Sequence, residues 1–144
     1  MENKLSCEKK IISKWTVGTE YFDENEERIC PVICKGEELA PGERRRASKL
    51  FFPCGEHDTD YTIAIMVSEK DGLALEDFRA IDEIIVPIPE NISKDGYSML
   101  YRVYLEASLE PNDEVRVSIK FAHSGKVLTT RIYTYEQMRA SALD

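Results

Sequence analysis

The chain has little of what most sequence-readable chemistry requires. Its 144 residues include two histidines, His57 and His123, and four cysteines, Cys7, Cys30, Cys34 and Cys54. Both histidines fall in turn-like segments, and no serine or cysteine lies in a strand–turn–helix elbow. A nucleophile–histidine system therefore has no local support, and Cys54-Gly55-Glu56-His57 reads as a turn that contains both residue types. The cysteines are too sparse for a disulfide framework. No apolar run approaches the ~20 residues of a membrane span, and Met1 to Lys10 lacks the apolar centre of a signal peptide. A cytoplasmic protein with reduced thiols and no membrane partner is expected, which leaves the glycosylation-like Asn91-Ile92-Ser93 without meaning. Positive charge is also scarce: 19 Lys and Arg stand against 27 Asp and Glu, for a net charge of −8. Such a balance argues against nucleic acid as a partner. Gly125-Lys126 lacks the upstream glycine of a phosphate loop. Asp23 to Glu27 lacks the central glycine and distant glutamate of a calcium loop. The carboxylates are numerous but fall in loops and on wet strand faces, with no pair set apart for acid–base work. No cofactor is expected.

What the chain does have is alternation. Val103, Leu105 and Ala107 continue a phase begun at Met99 and Tyr101, and Val115, Val117, Ile119 and Phe121 repeat it. The reversal between them is Glu110-Pro111-Asn112-Asp113. Glu114, Arg116, Ser118 and Lys120 between the apolar positions are polar. A period of two gives one buried and one wet face, the signature of an antiparallel sheet on a core. His123-Ser124-Gly125-Lys126 places glycine where a tight hairpin needs positive φ, and Val127 to Thr134 runs back.

Upstream, strands are expected at Lys14–Phe22, Arg28–Cys34, Arg45–Phe52 and Tyr61–Val67. Ile84, Val86 and Ile88 form a short strand bounded by Pro87 and Pro89. Pro31 suits an edge strand or a bulge; Arg44-Arg45-Arg46 has the charge to grip a phosphate but better suits a solvated strand face. Ser68 to Ala80 is irregular, with one helical turn near Leu75 to Phe78. Tyr135 to Leu143 has helix formers, with Thr134 as cap and Gln137 three residues on. The expected fold is all-β: an antiparallel β-sandwich of about eight strands with a short C-terminal helix. Residues 1–12 read as a charged leader or linker remnant, 13–134 as the sandwich and 135–144 as the start of a helical segment.

Cys30, Cys34, Cys54 and His57 have the ligand types of a zinc site. Positions four apart on a strand lie about 13 Å from one another at ~3.3 Å per residue. Thiolates on one ion are no more than about 4 Å apart, so only a bulge at Pro31 would allow the site. Buried free thiols are the simpler reading.

The order of the segments resembles the substrate-binding domain of the seventy-kilodalton heat-shock chaperones, the DnaK-like family, over residues 14 to 140. Trp15-Thr16-Val17-Gly18-Thr19-Glu20 is similar to the family's first strand, with its leucine-glycine-isoleucine-glutamate stretch. Pro31-Val32-Ile33-Cys34-Lys35 through Pro41 looks like the segment that ends in isoleucine-proline. Tyr61 to Glu69 fits the strand closing in glycine-glutamate. Ile84-Ile85-Val86-Pro87-Ile88-Pro89 resembles the glycine-isoleucine-proline segment, and Ser124-Gly125-Lys126 the link between its last strands.

The resemblance implies a divergent, non-catalytic peptide-binding domain of a stress-response chaperone, separated from the ATPase domain of its full-length protein. It also implies that the final helix begins a lid. An extended or unfolded polypeptide would thread between sandwich loops, held by main-chain hydrogen bonds and an apolar pocket. Position by position it places Val17, Thr19, Phe22, Phe51, Tyr61 and Ile63 around that cleft. Two depart from the pattern: Thr19 replaces a branched aliphatic, and Tyr61 stands where a smaller residue keeps the pocket open. Two other readings stand beside it: an interaction module whose closed pocket docks a folded partner, and a zinc-binding structural protein.

Overall fold

The two sheets of the sandwich follow from where the alternation puts its apolar side chains. The computed structural model describes residues 9–24, 26–49, 60–87 and 102–139. Among these, the chain runs β1 (Ile11–Ile12), β2 (Thr16–Asp23), β3 (Glu26–Ile33), β4 (Glu38–Leu39), β5 (Arg44–Arg46), β6 (Asp60–Ser68), β7 (Arg79–Pro87), β8 (Val103–Glu110), β9 (Glu114–Phe121), β10 (Val127–Tyr133) and helix α1 (Tyr135–Arg139). One sheet has the order β3-β2-β6-β7, the other β10-β9-β8-β5, and β1 pairs with β4 in a small third sheet; every pairing is antiparallel. Val17, Ile63, Ile65 and Val67 of the first sheet share one core with Val103, Leu105, Val117 and Ile119 of the second. Two antiparallel sheets thus face each other across grease, as expected. Ile65 and Ile119 have no exposed surface, and each such burial contributes about 1.5–3 kcal/mol.

Three bulges bend the strands, and each adds one apolar residue, in the core or packed against it, beyond what strict alternation allows. Val17 pairs with Ile33 but Gly18 with Pro31, so Val32 is the extra residue of β3. Pro31 therefore sits beside a bulge on an edge strand, where its missing N–H costs nothing. Ile81 is the extra residue of β7, and Leu128 of β10. The β7 bulge also turns Asp82 inward, opposite Ile65. There its carboxylate accepts hydrogen bonds from Tyr133 Oη at 2.7 Å and Arg131 Nη1 at 2.8 Å. Those three side chains, from the edge strands of the two sheets, close one flank of the sandwich.

Turn chemistry agrees with the sequence. Gly125 adopts φ +76° between β9 and β10. The β8–β9 reversal is a tight turn over Pro111–Asp113 with Asn112 at φ +71° and Asp113 at φ +61°, and a 3₁₀ turn spans Leu75–Asp77. The C-terminal helix opens with the expected reciprocal cap: Gln137 N–H donates to Thr134 Oγ1 at 3.2 Å, and Thr134 N–H to Gln137 Oε1 at 2.8 Å. Met138 buries into the main core, Tyr135 tilts against Trp15 at 5.8 Å, and Arg79 donates to the Met138 and Arg139 carbonyls. Helix α1 is thereby fastened to the base of the first sheet.

Some expected boundaries shift. The strand expected at Ile84 begins at Arg79, because the Ile81 bulge and the acids Asp82 and Glu83 hide its pattern. The strand expected over Arg45–Phe52 is confined, among the described residues, to Arg44–Arg46. Arg44 and Arg46 are exposed as anticipated, whereas Arg45 is half-buried and bonded to Glu43 at 2.8 Å and Glu37 at 3.4 Å. Cys7, Phe51, Cys54, His57, Ile88, Pro89, Asn91, Met99, Tyr101 and the tail from Ala140 lie outside the described residues. No helix among the described residues is long and apolar enough to cross a membrane.

Candidate functional site

The first sheet is joined across its middle by three register pairs only. Thr16, Val17 and Gly18 of β2 pair with Ser68, Val67 and Met66 of β6. Beyond Gly18, β2 stays paired to β3 as far as Asp23–Glu26. Below Met66, β6 stays paired to β7 back to Asp60–Pro87. Between Thr19–Asp23 on one hairpin and Asp60–Ile65 on the other there is no register pair. The sheet is therefore forked: two hairpins diverge from a common base, and the fork opens toward the β2–β3 turn.

Gly18 sits at the crotch of this fork. A Cβ there would meet the Cys30 carbonyl oxygen at 2.3 Å and the Pro31 Cα at 2.9 Å. Only glycine allows β3 to lie this close to β2 beside the Val32 bulge. Along each prong, alternate backbone N–H and C=O groups face the partner inside its own hairpin, and the others face the fork. Such groups bond water or an added strand, because leaving them unpaired is costly.

The residues that the sequence singled out distribute around this fork. Val17 lies in the joined base and packs in the main core. Thr19 is the first position past the crotch, paired with Cys30, and is 1% exposed. Ile63 is on the opposite prong, paired with Ile84 and 3% exposed. The Phe22 backbone pairs with Glu27 and the Tyr61 backbone with Val86, both toward the open end. Phe51 lies outside the described residues. Backbone position thus brings five of the six to one fork, while Val17, Thr19 and Ile63 are buried core residues.

Alternation singled out apolar positions and passed over the polar rim. Glu20 on β2 shares a hydrogen bond with Glu27 of β3, and this, with burial and the negative charges of Glu27 and Glu83, raises its pKa to about 7. Glu83 belongs to the other prong, where it pairs with Ala64. Its charge therefore acts across the fork. A glutamate inside a strand, next to the buried Thr19, was the available signal. The Tyr21 ring carries the Lys49 ammonium at 4.9 Å. With the Cys30 Sγ to Ser48 Oγ contact of 3.8 Å, this draws the chain after β5 along the β2–β3 hairpin.

Half of the zinc reading, Cys54 and His57, lies outside the described residues. Of the other two, Cys30 is buried in the core and Cys34 is exposed, where desolvation and then Glu37 raise its thiol pKa. Among the described residues no three His, Cys, Asp or Glu side chains gather as a cation would require. His123 is exposed in the β9–β10 turn. The chemistry this arrangement offers is backbone pairing with an extended segment, flanked by carboxylates. Compared with known proteins, the chain matches no family model and no curated protein sequence.

Proposed function

We propose that the chain is a non-catalytic polypeptide-binding domain of the seventy-kilodalton heat-shock chaperone type, holding extended apolar segments of client proteins. The observation that carries this reading is the fork between β2 and β6. A sheet with a buried inner face has every energetic reason to zip its central strands completely, and this one stops after Gly18↔Met66. The opening presents main-chain groups from two sides, the requirement for binding an extended chain with little regard to its sequence. Of the cleft residues that the resemblance to the chaperone family implies, Thr19 and Phe22 belong to one prong and Tyr61 and Ile63 to the other, which supports this reading. In this reading the ATPase domain belongs to the same full-length protein, in the cytoplasm.

Burial of Thr19 and Ile63 favours one further reading, an interaction domain on this scaffold whose pocket is closed and which docks a folded partner. Titration of fluorescent seven-residue peptides with a central leucine separates the two. Saturable binding that changes with Tyr61→Val and weakens with Phe22→Ala is the expected result. Absence of saturable binding, or binding indifferent to both substitutions, discards the cleft.

A further inference from the structure

The outward face of the second sheet carries a feature unrelated to the fork. A depression of about 110 Å³ opens there, several times the ~10–15 Å³ that one water requires. Its shape follows from register. Arg44 of β5 lies opposite Ser108 of β8, which lies opposite Arg116 of β9. In the neighbouring row Glu106 lies opposite Ser118, and Ser118 opposite Thr130 of β10. Short hydroxyl side chains form the floor and long charged ones the wall, with Lys120 completing it.

The donors in this depression are underused. Lys120 is held by Glu106 at 2.6 Å, and both side chains are largely buried, so that carboxylate is already neutralised. Arg44 reaches the same Glu106 at 3.5 Å, and Arg116 reaches Glu110 at 3.6 Å. Among the described residues these long ion pairs are the only partners of either guanidinium, each of which presents five N–H groups. The Ser118 and Thr130 hydroxyls bond each other at 3.0 Å; one proton serves that bond, which leaves the second hydroxyl a free donor. Three cations, Arg44, Arg116 and Lys120, line the depression with the one lining carboxylate Glu106, and Glu110 beside it accepts from Ser108 Oγ at 2.7 Å and pairs with Arg116, in a chain whose net charge is −8. Local positive charge has been gathered against the overall field.

We propose that this depression binds a tetrahedral oxyanion, a phosphate group, clamped between the Arg44 and Arg116 guanidinium groups over the Ser118–Thr130 hydroxyl pair. Planar guanidinium forks match the geometry of phosphoryl oxygens, and hydrogen bonds between ionised partners are the strong ones. The phosphate comes either from solution or from a phosphorylated side chain of a partner.

The test is titration of the isotopically labelled full chain with inorganic phosphate, and separately with a phosphoserine peptide, at constant ionic strength with chloride as the reference anion. Saturable NMR shifts at Ser108, Ser118 and Thr130 are expected. The double variant Arg44→Gln, Arg116→Gln should weaken binding about tenfold or more, the equivalent of one charge-assisted hydrogen bond. Glu106→Gln should tighten it, because Lys120 and Arg44 are released. Tighter binding of the peptide identifies a phosphorylated partner, and equal or weaker binding a free anion; both support the site. Shifts no larger than chloride produces, or insensitivity to the arginine variant with its core spectrum intact, would overturn it. So would weaker binding by Glu106→Gln.

Discussion

Alanine at Gly18 is the sharpest test of how the fork is built. The added methyl would stand 2.3 Å from the Cys30 carbonyl oxygen, more than 1 Å inside ordinary contact at 3.4 Å, and 2.9 Å from the Pro31 Cα. Both obstacles are backbone, so no rotamer change relieves them. The β2–β3 hairpin must part at the position where β2 is also held to Met66 of β6. Overpacking of this kind costs about 1–3 kcal/mol; the upper half of that range is expected because two backbones are involved. Replacing glycine also restricts the unfolded chain, which returns about 0.4–1 kcal/mol. The net expectation is destabilisation of about 1–2.5 kcal/mol, or roughly 3–8 °C in Tm for a chain of this size. Urea and thermal unfolding of Gly18→Ala against the parent measure it directly. A variant as stable as the parent, or more stable through the entropy effect alone, would refute the close approach of β3 to β2.

Tyr133→Phe should cost about 1–2 kcal/mol, since it removes the hydroxyl bonded to the Asp82 carboxylate at 2.7 Å; unchanged urea unfolding would show that this flank does not depend on the bond. In the parent, burial and then the Asp82 bond push the Tyr133 phenol far above its ordinary pKa, so its ultraviolet titration should lag behind that of exposed tyrosines. Glu20 gives a pH dependence of definite sign. Its folded pKa of about 7 lies above the ordinary 4.5, so the folded chain holds this proton more tightly than the unfolded one. The associated stability is fully present below about pH 4.5 and is lost as pH rises through about 7. Solvent screening keeps it to no more than about 1 kcal/mol. Glu20→Gln should flatten the stability profile over that window, and an unaltered profile would contradict the shared proton.

Local chemistry made several elements legible. The alternation over Val103 to Phe121, the glycine between β9 and β10, and the Thr134–Gln137 cap each act within a few residues, so the sequence states them directly. Pro31 likewise announced an edge or a bulge. The start of β7 was not legible. Ile81 and Ile84 both enter the core three residues apart, and Asp82 turns inward to meet Tyr133, so period-two alternation fails where the strand begins. The fork was hidden for another reason: whether β2 and β6 stay zipped depends on register between segments more than forty positions apart. The oxyanion depression was concealed most completely. Arg116, Ser118 and Lys120 are ordinary wet-face residues until β5 and β10 supply Arg44 and Thr130 from distant segments.

Hydrogen exchange at the fork tests the central claim most directly. In the free chain, amides of Thr19–Asp23 and Asp60–Ile65 that face the opening should exchange rapidly, while those bonded within the β2–β3 and β6–β7 hairpins stay protected. Saturation with an apolar heptapeptide should slow the fork-facing set on both prongs together. Slow exchange there without peptide, or no change on either prong when peptide is present, would contradict the account.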